Sequence, residues 1–440
     1  MRLRAAAIAL VALLLLPATA FGHAALVRTV PSAAGTVTPA PREVVLTFSE
    51  PVEPRFAAIS ISDASGAQVT AGVPQRREGD ATTIAVPLRN VPEGWYLVYW
   101  RVISADGHPV RGAFTFAVGP NPGPAPQFVV PSLSETAATP RLIAARWAAI
   151  LASMAAIGLF VLRLLIARRP VLDRPFGVAA AVALVAAPVY LVLSTAQFSL
   201  RSPVDLSALA PLFDASAFGR GYLRFELCLA LFVAAAAIAL AIDRPERERR
   251  SVAELLAATG ALLAAGAVLL VPGVAGHPGQ TSAFAVVLDG VHLGAGAVWI
   301  GGLLGLLVLW RAGTIDGVVG RFSRVALGAV LALVATGAIA AILQLPTLAS
   351  LWQTGYGQAL LVKVGLLLCI LPLAALNRSR GGVRRAVGGE AVLVAGVVLA
   401  AAVLTSLAPP AKAVADLGTP SARVGPGAVA TRVEHGDYAL

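Results

Sequence analysis

Of the five histidines in this 440-residue chain, four stand in settings that suit metal chemistry. His108 closes the stretch Ala105-Asp106-Gly107-His108-Pro109, where the glycine permits a tight turn that aims the Asp106 carboxylate and the His108 imidazole at one point. His23 follows Ala20-Phe21-Gly22, a small-x-small sequence of the kind at which an export signal is cut. A chain that begins at His23 offers its free amine and its imidazole to one ion. Together with Asp106 and His108 this makes three nitrogens and a carboxylate oxygen in a near-planar array, a set that suits Cu(II). Cleavage after Ala18-Thr19-Ala20 instead starts the chain at Phe21 and takes the amine out of the set. The plainer alternative makes His108 a turn residue and His23 a flexible end.

A second group lies in the apolar part of the chain. Asp289 and His292 are three residues apart, on one face of a predicted helix. His277 sits just before it in Gly276-His277-Pro278, and the three together suggest a funnel that accepts a cation. Ionisable groups within a span cost about 2.5–3.5 kcal/mol at the bilayer centre, so Arg224, Glu226 and Lys363 each need a reason, with snorkelling or ion pairing the structural one. Cys228, Cys369 and Met154 are soft donors that could pass Cu(I), although as single residues on separate helices they read first as packing.

The elements that must hold these residues follow from composition. Hydrophobic residues make up 58% of the chain and charged ones 13%, which is wrong for a soluble globule. Residues 1–22 read as a signal peptide: Arg2 and Arg4, an apolar run from Ala5 to Leu16, then small residues. From 23 to 118, short alternating runs such as Val44-x-Leu46-x-Phe48, Ile59-x-Ile61 and Trp95–Ile103 predict a small all-β sandwich or barrel. Six prolines between Pro120 and Pro140 make 119–141 a stiff linker. Eight transmembrane helices are predicted near 142–167, 176–198, 222–242, 252–272, 284–310, 322–345, 358–376 and 390–408, forming an all-α membrane domain over 142–408. Residues 409–440 read as a disordered outer tail.

An exported β domain fixes the direction of the first helix, and the loops this places in the cytoplasm hold thirteen arginines against Arg201 and Arg220 outside. That asymmetry is what the positive-inside rule requires, and it accounts for the net charge of +11 without nucleic acid. The expected location is the inner or plasma membrane, multi-pass, with the β domain and the C-terminus on the extracytoplasmic side. The two cysteines both fall in apolar runs, so no disulfide framework is expected.

The stretches His23-Ala24-Ala25-Leu26, Val45-Leu46-Thr47-Phe48-Ser49-Glu50 and Gly94 to Gly112, with Trp100-Arg101-Val102-Ile103-Ser104-Ala105-Asp106-Gly107-His108 at its centre, resemble the periplasmic copper protein family CopC. The resemblance implies a cupredoxin-like, Greek-key β-barrel and Cu(II) ligands at His23, Asp106 and His108. Because the only methionines are Met1 and Met154, the methionine-rich Cu(I) loop of some members is missing. The segment Asp289 to Leu303, with Tyr356–Lys363 and Asn377-Arg378, resembles the CopD membrane family. Fusion of the two is similar to CopC-CopD proteins of copper resistance and uptake.

The resulting expectation is a non-enzymatic copper homeostasis protein that takes Cu(II) from solution or a periplasmic donor and passes copper, by import, through the membrane half. No G-x-x-x-x-G-K loop is present, so ATP is not expected as a partner. The alternatives are a haem- or quinone-linked redox protein using His277 and His292, and a copper chaperone or sensor whose membrane half is an anchor. A copper oxygenase is disfavoured, because Asp106 would fill the position dioxygen needs.

Overall fold

The computed structural model describes residues 24, 26–103, 109–126, 139–199, 202–215, 217–275, 282–345, 347–380 and 396–405. The predicted signal peptide, most of the linker, the tail, and the site residues His23, Asp106, His108 and His277 lie outside the described residues.

Two four-stranded sheets make up the N-terminal domain. One has the order β1 (Leu26–Val30), β3 (Glu43–Phe48), β6 (Asp80–Pro87), β5 (Gln75–Arg77). The other runs β2 (Thr36–Val37), β8 (Pro109–Val118), β7 (Gly94–Ile103), β4 (Ala58–Asp63). All pairings are antiparallel except β2 with β8. The two sheets share one core, in which Val44, Leu46, Phe48, Ile84 and Val86 face Ile61, Tyr96, Val98, Trp100, Val102 and Phe116. The predicted alternation in β3 is thus real, and Phe48 meets Trp100 edge-on at 5.3 Å between ring centres. Strand β8 pairs with β7 along its whole length, from Val118 opposite Gly94 back to Pro109 opposite Ile103.

Beyond the linker the chain is helical: α1 (Pro140–Val161), α2 (Asp173–Ser199), α3 (Leu209–Ala215), α4 (Ala217–Ile242), α5 (Val252–Ala275), α6 (Ala283–Arg311), α7 (Val319–Gln344), α8 (Ser350–Gln353), α9 (Gly355–Arg380) and α10 (396–404). Six of these are long and apolar enough to cross a membrane among the described residues, against eight predicted. The seventh predicted span falls within α9, Gly355–Arg380, whose sequence stays apolar from Ala359 to Leu376 apart from Lys363. The eighth is described only over 396–405. The short helix α3 has no counterpart among the predicted elements.

Helices α1 and α6 form the spine of the bundle, crossing where Gly158 meets Ala297 and Gly301 backbone to backbone. A Cβ at either glycine would collide with the other helix's main chain. Gly296 likewise admits the Met154 methyl, and Gly302 the ring of Phe322.

At the end of the bundle far from the sheets, α1 continues into a π-helical turn, Leu162–Ala167, that ends at Arg168 in a left-handed conformation. Here Arg163, 1% exposed, bridges Asp173 (Nε to Oδ1, 2.7 Å) and Asp243 (Nη1 to Oδ2, 2.8 Å). Arg168 and Arg250 reach the same Asp243 carboxylate at 3.0 and 3.5 Å. Ser251 and Glu254 cap the start of α5 reciprocally.

Candidate functional site: a docked β domain and an intramembrane polar cluster

Strand periodicity would leave Leu97, Tyr99, Arg101 and Ile103 of β7 on the face away from the sandwich core, yet eight successive residues of this strand are buried. The end of β7 is covered by the helical half. Arg101, 2% exposed, donates from Nη1 to the carbonyl of Phe198 at 3.1 Å and from Nη2 to that of Gln197 at 2.9 Å. Those carbonyls belong to the last turn of α2, where helix geometry leaves C=O groups without partners and the dipole favours a cation. Around them Phe56 and Ile103 pack with Leu142, Tyr190, Phe198, Leu212 and Phe218 in one apolar cluster. The strand that leads into Asp106 and His108 is therefore seated on the helices. A freely swinging domain on a tether does not describe this arrangement.

Arg101→Ala strands two helix-end carbonyls and empties a buried site, a loss of about 3 kcal/mol for hydrogen bonds that involve a charged group. The expected result is a single thermal transition splitting in two, with faster hydrogen exchange over residues 190–199. An unchanged single transition would show the contact to be energetically idle.

The second cluster lies in the helices. His292 on α6 is half-buried, with its Nδ1 2.8 Å from Thr336 Oγ1 on α7. The Thr336 hydroxyl donates to the Ala332 carbonyl at 2.6 Å, so it accepts from His292. This assigns the ring proton to Nδ1 and leaves the lone pair on Nε2. That nitrogen faces Lys363 Nζ on α9 at 3.4 Å. Asp289, one turn before His292, is within electrostatic reach of the same ammonium. Counting 1.5 Å per residue, the four side chains lie at a common depth of about 9–14 Å from the helix ends nearest the β domain. Gly337 leaves room for the His292 ring beside α7, with Cε1 3.4 Å from where a Cβ would stand.

The structure thus brings together Asp289, His292 and Lys363, and adds Thr336, which sequence reading does not single out because a threonine inside an apolar helix carries no signal of its own. Among the described residues no three His, Cys, Asp or Glu side chains stand close enough to hold a metal. Met154 and Cys228 both pack against the main apolar core. Glu226 has its Oε2 buried without a hydrogen-bond partner among the described residues. Arg101 and Arg163 also escape sequence reading as site-building residues, the first within a strand-like run and the second among leucines.

A β sandwich seated on a bundle of membrane-length helices, with a half-buried histidine and carboxylate at matching depth, marks a multi-pass membrane protein. The CopC domain family matches residues 26–119, and the copper resistance protein D family matches residues 316–404. The copper transport protein CutJ of Bacillus subtilis is 29% identical over 436 residues, spanning 92% of this chain and 77% of its own. YobA of Escherichia coli K12 is 34% identical over 113 residues, 26% of this chain and 91% of its own. The crystal structure of CopC from Methylosinus trichosporium OB3b is 34% identical, covering 23% of this chain and 98% of that one, with a TM-score of 0.22. The chain belongs to the CopC family of copper resistance proteins, in the form that carries a CopD domain in the same polypeptide.

Proposed function

We propose that the protein binds Cu(II) on the extracytoplasmic side and delivers copper into the membrane half for import. The ligands are His23, through both its amine and its imidazole, with Asp106 and His108. His277, Asp289 and His292 receive the ion, and a periplasmic donor supplies it. The observation that carries this reading is the seating of β7 on the helices: Arg101 and Ile103 are held against the bundle, and Asp106 and His108 follow within five residues. Five residues of extended chain reach no further than about 17 Å, so a captured ion stays near the helix ends that lead to Asp289 and His292. The relative CutJ is named a copper transport protein, which agrees with passage of copper through the membrane half.

The test is cellular copper content in a deletion strain carrying wild-type, His108→Ala or His292→Ala protein under limiting copper. Import predicts that deletion lowers copper and that both variants fail to restore it. Raised copper in the deletion strain would mean export. Full restoration by His292→Ala, with none by His108→Ala, would make the membrane half an anchor for a chaperone or sensor.

A further inference from the structure

The His292 lone pair points at an ammonium, and this has a consequence for any ion that arrives there. Lys363 Nζ occupies, at 3.4 Å from Nε2, the approach along which a metal would bind. Nδ1 offers no alternative, since its proton is committed to Thr336. The cluster of Asp289, neutral His292 and Lys363 carries one negative and one positive charge, so it is balanced as it stands. In a low-dielectric setting a second cation added to this set meets a repulsion that the single carboxylate does not offset.

From this geometry we infer that Lys363 is a tethered resident cation, holding the His292–Asp289 site closed until an incoming soft metal cation displaces its ammonium. The inference rests on the proposed copper path through His292 and adds its gate. The lysine's long, flexible side chain suits the task, because the ammonium can swing out of the site while its backbone stays in α9. With the ammonium moved aside, Nε2 faces a vacated position that one monovalent metal cation fills at unchanged net charge, with Asp289 within electrostatic reach. Resting closure by a cation also keeps the Asp289 charge offset between transport events.

Silver(I), a redox-inert ion with the charge of Cu(I), is the probe. The full-length chain is reconstituted in lipid nanodiscs with His108→Ala, Cys228→Ser and Cys369→Ser, so that the β domain and the thiols do not compete. Silver affinity is measured by calorimetry in this parent and in two neutral replacements, Lys363→Met and Lys363→Gln, whose melting curves verify folding. Both are expected to bind at least about tenfold tighter than the parent, with the gain lost on adding His292→Ala. If His292→Ala weakens binding in the parent while neither neutral variant tightens it, the gate is overturned and the path stands. If no affinity depends on His292, the path falls and the gate with it.

Discussion

Replacing Gly158 with leucine is expected to abolish recovery of a folded, monodisperse protein, and even Gly158→Ala is expected to cost about 3 kcal/mol or more. Overpacking a soluble core typically costs about 1–3 kcal/mol because side chains yield. Here the added atom meets the carbonyl of Ala297 and the main chain at Gly301, and a helix backbone cannot turn aside as a rotamer can. The two helices must separate, and the separation is passed to residues packed along both, among them Leu159, Phe160, Trp299 and Leu303. Gly260→Ala is the control. A Cβ there meets nothing within 4 Å, so the substitution should be neutral or stabilising by up to about 1 kcal/mol through helix propensity. Size-exclusion profiles and melting curves in one detergent compare the three variants. A monodisperse Gly158→Leu protein with an unchanged melting temperature would contradict the backbone crossing.

Legibility in the sequence divides along the range of the interactions involved. Period-two alternation is local, so it suffices by itself to put the β3 residues Val44, Leu46 and Phe48 in the core, where they lie. Apolar run length is equally local, and six spans stand close to where it puts them. The glycine-rich stretch of α6 announces close helix contact, but not that Gly158 on α1 is its partner, because partnership across 143 residues leaves no periodic trace. Arg101 is hidden for the same reason: in a strand it reads as an outward residue, and only the carbonyls of Gln197 and Phe198 explain its burial. Asp289 and His292 are legible as a pair because three-residue spacing fixes their common face. Lys363, an isolated oddity on another helix in the sequence, becomes part of the same site only through tertiary packing.

That same long-range rule makes the ion cluster around Asp243 the second large effect, and its energetics turn on which partner is removed. Asp243 is 5% exposed and is surrounded by Arg163, Arg168 and Arg250. Asp243→Ala leaves three guanidinium groups facing one another around a vacated anion, with only Asp173 still beside Arg163, and is expected to cost about 5 kcal/mol, the upper end for breaking a buried pair. Arg163→Ala leaves Asp243 two remaining cations and is expected to cost about 3 kcal/mol. Removing both charges with Arg163→Met and Asp243→Leu together takes away the desolvation of that pair along with its attraction. The double variant is therefore expected to be less destabilised than the sum of the singles by about 1–3 kcal/mol. The pH dependence has a definite sign. Burial alone would push the Asp243 carboxyl up, but hydrogen bonds from Arg163 and Arg168, and their charges, outweigh it and hold the group below its usual 3.8. A depressed folded value contributes stability that is complete above 3.8 and is lost as the pH falls through the lower folded value. Melting temperatures should therefore drop on acidification below about pH 4, and Asp243→Asn should flatten that drop. Strict additivity of the two single substitutions would mean that Arg163 and Asp243 do not interact as the 2.8 Å contact requires.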